Sequence, residues 1–217
     1  MDRDEDYQKR IFCEHIRKKG VFKGDEVSVV LLRIVKRYIG GDILDIGAGS
    51  GALIRLLQSK GYKAKGVDLY STSSDIEQGS ITDLPFEDES FNTAFCCDVI
   101  EHLADEQLNS GMAETARVLR KGGHFIITTP YDEDLKRNSV VCPECGHEFH
   151  RYGHFQSFDE ERIRTILNKH GFKVSFMNVY ALGAMAKVPF GRYVHFLLKR
   201  LQFEFIGKTI VVVAEKL

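Results

Sequence analysis

Apolar positions along the chain switch between helical spacing and short continuous runs. Val27, Val30, Leu31, Ile34, Val35 and Tyr38 recur at helical spacing, and Gly40-Gly41 stops them. A short apolar run then predicts a strand over 42–47, followed by a helix carrying Leu53, Leu56 and Leu57 up to Gly61. Strands are expected at 63–68, ending on Asp68, and at 76–78, ending at Gly79. The polar stretch between them lacks helical spacing. Residues 91–97 read as a fourth strand, followed by a helix with Leu108, Met112, Ala116 and Leu119 on one face, closed by Lys121-Gly122-Gly123. The fifth strand is expected at 124–129, stopped by Pro130, and residues 131–156 read as an irregular insert. Ser157 and Glu160 match a capping box that opens a helix with Ile163, Ile166 and Leu167, ended by Gly171. Two more strands are predicted at 172–179 and 210–213. A first helix over 3–19 and an amphipathic helix over 191–202 complete the pattern.

This alternation predicts one α/β domain over 1–217: a doubly wound, mostly parallel, seven-stranded sheet with helices on both faces. Three segments elaborate it: N-terminal helices within 1–40, the insert at 131–156, and a substrate-side insert at 181–206. In such sheets a ligand binds outside the carboxyl ends of the strands. Gly47, Asp68, Gly79-Ser80, Asp98 and Pro130 all fall there.

Composition narrows the function. With 43% hydrophobic and 28% charged residues the chain has an ordinary globular make-up, and its net charge of −1 gives no basic field for a nucleic-acid partner. The charged start, Met-Asp-Arg-Asp-Glu-Asp, is unlike a secretory signal, and no apolar run reaches membrane-spanning length. Five cysteines (Cys13, Cys96, Cys97, Cys142 and Cys145) at uneven spacing do not suggest a disulfide framework. A cytoplasmic location is expected.

Gly47, Gly49 and Gly51 form G-x-G-x-G at the end of the first strand, with Asp45 two residues before the first glycine. A dinucleotide fingerprint is G-x-G-x-x-G, so a dehydrogenase is disfavoured. The run Ile43–Leu53, together with Asp68, Leu84-Pro85-Phe86 and Asp98–Leu103, resembles the class I S-adenosylmethionine-dependent methyltransferases in their small-molecule branch, over roughly residues 40–130. The resemblance implies a Rossmann-like fold and S-adenosylmethionine as cofactor. It implies that Gly47, Gly49 and Gly51 let the backbone approach the methionine part and ribose, that Asp45 orients the methionyl ammonium, and that Asp68 holds the ribose. Where many relatives place an aspartate for the adenine, this chain has Ser80, followed by Ile81. Ala48, Leu69 and Cys97 complete the expected cofactor contacts.

On the acceptor side, Asp98, Glu101 and His102 are spaced to share one face of a helical turn. They are candidate catalytic groups, as bases or as ligands of a divalent cation. A similar acid-x-x-Glu-His arrangement occurs in ubiquinone-type O-methyltransferases. The same spacing also suits an N-cap with its N3 partner, a purely structural role. Further on, Cys142-Pro-Glu-Cys145 reads as a zinc half-site. Zinc takes four ligands, and His150 and His154 are the expected other two, in a mainly structural site. A reduced, metal-free loop is the alternative. Between 181 and 208, basic residues alternate with Phe190, Tyr193, Phe196 and Phe203. This suits a hydrophobic acceptor or peripheral contact with an anionic membrane, or a helix packed on the sheet with snorkelling basic residues. The expected function is methyl transfer to a small-molecule acceptor, at oxygen. The alternatives are a protein or RNA methyltransferase docking through a zinc insert, and a non-catalytic binder of the same cofactor.

Overall fold

The computed structural model describes residues 24–70, 73–187 and 207–217. The predicted helices at 3–19 and 191–202 lie outside these residues, as does most of the 181–206 insert. The elements are α1 (Gly24–Val35), β1 (Asp42–Ile46), α2 (Ala52–Gln58), β2 (Lys63–Asp68), β3 (Ile76–Gln78), β4 (Phe91–Cys97), α3 (Asp105–Val118), β5 (Leu119–Pro130), β6 (Ser139–Val141), β7 (Glu148–His150), α4 (Glu160–Lys169), β8 (Phe172–Tyr180), α5 (Leu182–Lys187) and β9 (Thr209–Lys216). Among the described residues, no helix is long and apolar enough to cross a membrane.

Seven strands form one sheet in the order β3-β2-β1-β4-β5-β9-β8. β3 through β5 pair in parallel; β9 runs antiparallel to both of its neighbours. Strand order reverses between β1 and β4, which opens a crevice at their carboxyl ends.

Alternation along the strands splits the core in two. Leu44, Ile46, Ala94, Phe125 and Ile127 pack against Leu108 and Met112 of α3 and Ile163 and Leu167 of α4. Ile43, Phe95, Ile126, Val211 and Val213 face the other way, against Leu31, Leu32 and Val35 of α1, Leu53, Ile54 and Leu57 of α2, and Leu182 of α5. Helices therefore cover both faces, as predicted.

Three local expectations differ. The fifth strand starts at Leu119, paired with Phe91, and the ladder resumes at Thr93–His124. The glycines predicted to close α3 sit instead in this irregularity, with Gly122 at φ +76°. Helix α4 is capped by Asp159, whose carboxylate accepts from the Arg162 N–H at 2.7 Å, and not by Ser157. Phe158 is fully buried and bridges to Tyr131, which keeps the chain extended through Ser157 and delays the helix. The insert at 131–156 is not irregular throughout: β6 and β7 form an antiparallel hairpin.

Candidate active site

The glycine loop leaves β1 at the crevice. Gly47, Gly49 and Gly51 have φ of +76°, +52° and +75°, a left-handed region that favours glycine. A Cβ on Gly47 would sit 2.4 Å from a methyl of Val99. The loop also rests on β2. Gly47 and Ala48 donate to the Val67 carbonyl at 2.9 and 3.1 Å. Gly66 is required by the same contact, since a Cβ there would lie 2.6 Å from the Ala48 Cβ.

Asp68 ends β2 facing the loop. Its Oδ2 accepts from the Gly49 N–H at 2.8 Å and its Oδ1 from Tyr70 N–H at 3.1 Å. Each oxygen has a second lone pair for a ribose hydroxyl. Leu69 beside it is half exposed. Asp45 is buried beneath the loop; that burial, reinforced by the Asp68 charge, pushes its carboxyl up to about 8. A cationic ammonium nearby would restore its charge. The Ser80 hydroxyl is engaged locally: it pairs with the Thr82 hydroxyl at 2.8 Å and accepts from Thr82 N–H. Ile81 is buried against Gly111 of α3. Cys97 is partly buried at the end of β4, where burial holds its thiol above the ordinary value.

Across the crevice, the turn after β4 is not an α-helix. Ile100–His102 is a single 3₁₀ turn, and α3 begins only at Asp105, with the Ala104 N–H donating to the Gln107 side chain. Asp98 and Glu101 therefore do not cap a helix. Asp98 takes φ +54°, and its Oδ1 accepts from the Thr128 hydroxyl at 3.2 Å. It is solvent-accessible, yet surrounding protein desolvates its carboxyl and raises it. Glu101 is 1% exposed. Its Oε2 accepts from the Thr129 hydroxyl at 2.9 Å, while Oε1 is buried without a hydrogen-bond partner. Burial, then the nearby Asp98 charge, pushes its carboxyl well up.

Residues from the insert complete the cluster. Phe155 and Gln156 N–H groups donate to the Glu101 carbonyl, which ties the end of the insert to this turn. Glu101, His102 and His154 each bring one ligating atom within 4.8 Å of the others. His102 Nδ1 lies 3.0 Å from the Gly153 carbonyl, which can only accept, so the Nδ1 carries the proton and the lone pair sits on Nε2. Burial lowers His102 to about 4, keeping it neutral. His154 Nδ1 lies 2.5 Å from Glu133 Oε2, which fixes the same tautomer. Burial opposes ionisation of Glu133, but the His154 hydrogen bond prevails and its carboxyl falls below the ordinary value.

His150 has the opposite tautomer. Its Nδ1 accepts from the His154 backbone N–H at 3.0 Å, so Nε2 carries the proton and faces Glu133 Oε1 at 3.5 Å. Although Glu133, His150 and His154 also converge, His150 and Glu133 thus support His154 and do not form a second ligand set. Glu101, His102 and His154 fit a divalent cation: a buried carboxylate oxygen without a partner and two imidazoles anchored through Nδ1.

The structure separates the four expected zinc ligands. His150 pairs with Ser139 at the open end of the hairpin, whereas Cys142 and Cys145 lie at its tip beyond the Val141–Glu148 pair. Three further rungs at about 3.4 Å each put roughly 10 Å between them. Among the described residues, no convergent group of ligating side chains includes either cysteine. His154 instead joins Glu101 and His102. Sequence reasoning missed Glu133, Thr128, Thr129 and the Gly153 carbonyl. Only the run of acids after Pro130 hinted at Glu133.

A family model described as a methyltransferase domain matches residues 10–175, and the chain belongs to this family, in its class I S-adenosylmethionine-dependent form. A protein of Mycolicibacterium smegmatis described as a probable S-adenosylmethionine-dependent methyltransferase is 32% identical over 113 residues, 48% of this chain and 43% of its own length. Sarcosine/dimethylglycine N-methyltransferase of Halorhodospira halochloris is 30% identical over 135 residues, 54% of this chain and 48% of its own. The chain therefore spans about half the length of these curated relatives. In fold it is similar to a Burkholderia thailandensis 1,6-didemethyltoxoflavin-N1-methyltransferase, solved with its substrate and S-adenosylhomocysteine. The TM-score is 0.66 at 14% identity, covering 100% of this chain and 91% of that one.

Proposed function

We propose that this chain transfers the methyl group of S-adenosylmethionine to a hydroxyl oxygen of a small-molecule acceptor. The carrying observation is the convergence of Glu101, His102 and His154 beside Asp98, across the crevice from the glycine loop. Gly47–Gly51, Asp45 and Asp68 would hold the amino-acid and ribose parts of the cofactor, with Ala48, Leu69, Ser80, Ile81 and Cys97 around them. The small-molecule class is supported by the named relatives, which act on compounds of that size.

Oxygen is supported by the chemistry of the cluster. A neutral amine is nucleophilic as it stands, whereas a hydroxyl must lose or share its proton as it attacks. Glu101, His102 and His154 would hold a divalent cation, which when bound supplies Lewis-acid polarisation of an acceptor oxygen. Asp98 faces the cleft where an acceptor hydroxyl would lie and serves as proton acceptor. Thr128 and Thr129 orient the two carboxyls, and Glu133 and Gly153 orient the two imidazoles. In-line displacement then needs little beyond positioning. Phe190, Tyr193, Phe196 and Phe203, by their sequence, suit an acceptor with an apolar body.

The test is transfer from methyl-labelled S-adenosylmethionine to matched pairs of acceptors, each pair differing only in hydroxyl against amine. Label on oxygen with the amine partners inert is the expected result. Label on the amines alone would overturn the oxygen assignment.

A further inference from the structure

The tip of the β6–β7 hairpin is built in a way that methyl transfer leaves unexplained. Beyond the Val141–Glu148 pair, the Cys142 N–H donates to the His147 carbonyl at 2.8 Å, and the Gly146 N–H closes the turn onto the Cys142 carbonyl at 2.9 Å. Gly146 sits at φ +69° with nothing near its Cβ position, so backbone conformation alone calls for glycine there. Within this turn the backbone N–H groups of Cys145 and Glu144 point at the Cys142 sulfur, and the Cys145 thiol is a further partner. Both cysteines are free, and Cys145 is exposed.

We propose that Cys142 and Cys145 form half of a zinc site, completed by the same two cysteines of a second copy of this chain. Zinc with thiolate ligands is tetrahedral and takes four donors in a closed structural site. The knuckle offers two, and among the described residues no other ligating side chain converges with them. His150 and His154 are held at the far end of the hairpin by Glu133. A two-fold axis through the metal brings two identical knuckles together and closes the shell without any other ligand. The surface next to the sulfurs agrees with a covered face. Val141, adjacent to Cys142, is 62% exposed, among the most exposed large apolar side chains of the described residues, and a second hairpin at the metal would cover it. Since β7 ends at His150, a clasp at the tip also braces the strand that positions His154.

The experiment uses the full chain, purified without a histidine tag, stripped with a chelator and then dialysed against zinc alone. Bound zinc and mass by sedimentation are measured for the wild type and for Cys142→Ser/Cys145→Ser. The difference in zinc between the two isolates the knuckle from the Glu101–His102–His154 cluster. The expected result is about half an equivalent more zinc per chain in the wild type, with a dimer that forms only with zinc and only with the cysteines. Equal zinc in the two proteins overturns the site. About one full equivalent on a monomer, or a dimer that ignores zinc, overturns the shared clasp. Cobalt loading of the wild type gives a reading independent of the variant. Intense thiolate-to-cobalt absorption that appears together with dimer supports the proposal, and its absence refutes it.

Discussion

Gly47→Ala probes the junction of the two halves of the site. Gly47 is at φ +76°, where an alanine costs about 1–2 kcal/mol. The added Cβ would also lie 2.4 Å from one methyl of Val99, while the next Val99 atoms are at 3.6 and 3.7 Å. One methyl is therefore the whole obstruction. Forcing it aside costs about 1–3 kcal/mol, for a total of roughly 2–5 kcal/mol. Val99→Ala removes that methyl at about 1 kcal/mol of lost packing, since Val99 is only partly buried. In Gly47→Ala/Val99→Ala the steric part should vanish and the backbone part remain, so the two changes couple favourably by about 1–3 kcal/mol. Urea unfolding of the four proteins gives the stabilities, with equal slopes confirming a common unfolded state. Calorimetry with S-adenosylhomocysteine gives the affinities, which should fall about tenfold or more in the single glycine variant. A nearly neutral Gly47→Ala, or strict additivity with Val99→Ala, would show that the loop does not press on the turn after β4.

His102→Ala should lower turnover while leaving cofactor affinity intact; unchanged turnover in a methyl-transfer assay removes His102 from the reaction. Asp45 is raised from 3.8 to about 8 by burial and the Asp68 charge. The folded chain thus keeps a proton that the unfolded chain has released, so cofactor-free stability should fall as pH rises from about 4 to about 8. The slope approaches about 1.4 kcal/mol per pH unit, and Asp45→Asn should flatten it in urea unfolding at successive pH values. Glu133→Gln removes the charge that holds His154 and should weaken Mn²⁺ binding about 10- to 100-fold without changing cofactor affinity; equal titrations of variant and wild type would count against the supporting role.

Much of the fold was legible because each strand of the sheet is a short apolar run bounded by glycine, proline or an acid. The glycine loop and Asp68 were legible because their spacing is local. The acceptor side was harder to read. His154 meets His102 from more than fifty positions away, and no local period encodes that approach. Histidine spacing instead suggested a partnership with the cysteines, but the hairpin register sets His150 apart from its tip, and His154 converges with Glu101 and His102. Ser157 and Asp159 both fit an N-cap in the sequence, and burial of Phe158 decides between them. The α-helical turn expected at Asp98–His102 also failed, since Asp98 at φ +54° turns the chain out of helical geometry. Val99 and Gly66 carry no sequence signal at all; each matters because the glycine loop packs against it.

The most direct measurement is the rate of methyl ether formation on a hydroxyl acceptor by chelator-treated protein, before and after adding Mn²⁺, in wild type and Glu101→Gln. The cation should restore a rate lost on chelation in the wild type, and should not restore Glu101→Gln, whose cofactor affinity is unchanged. Full turnover in the chelated wild type, or a cation response that survives Glu101→Gln, would contradict this role for the cation.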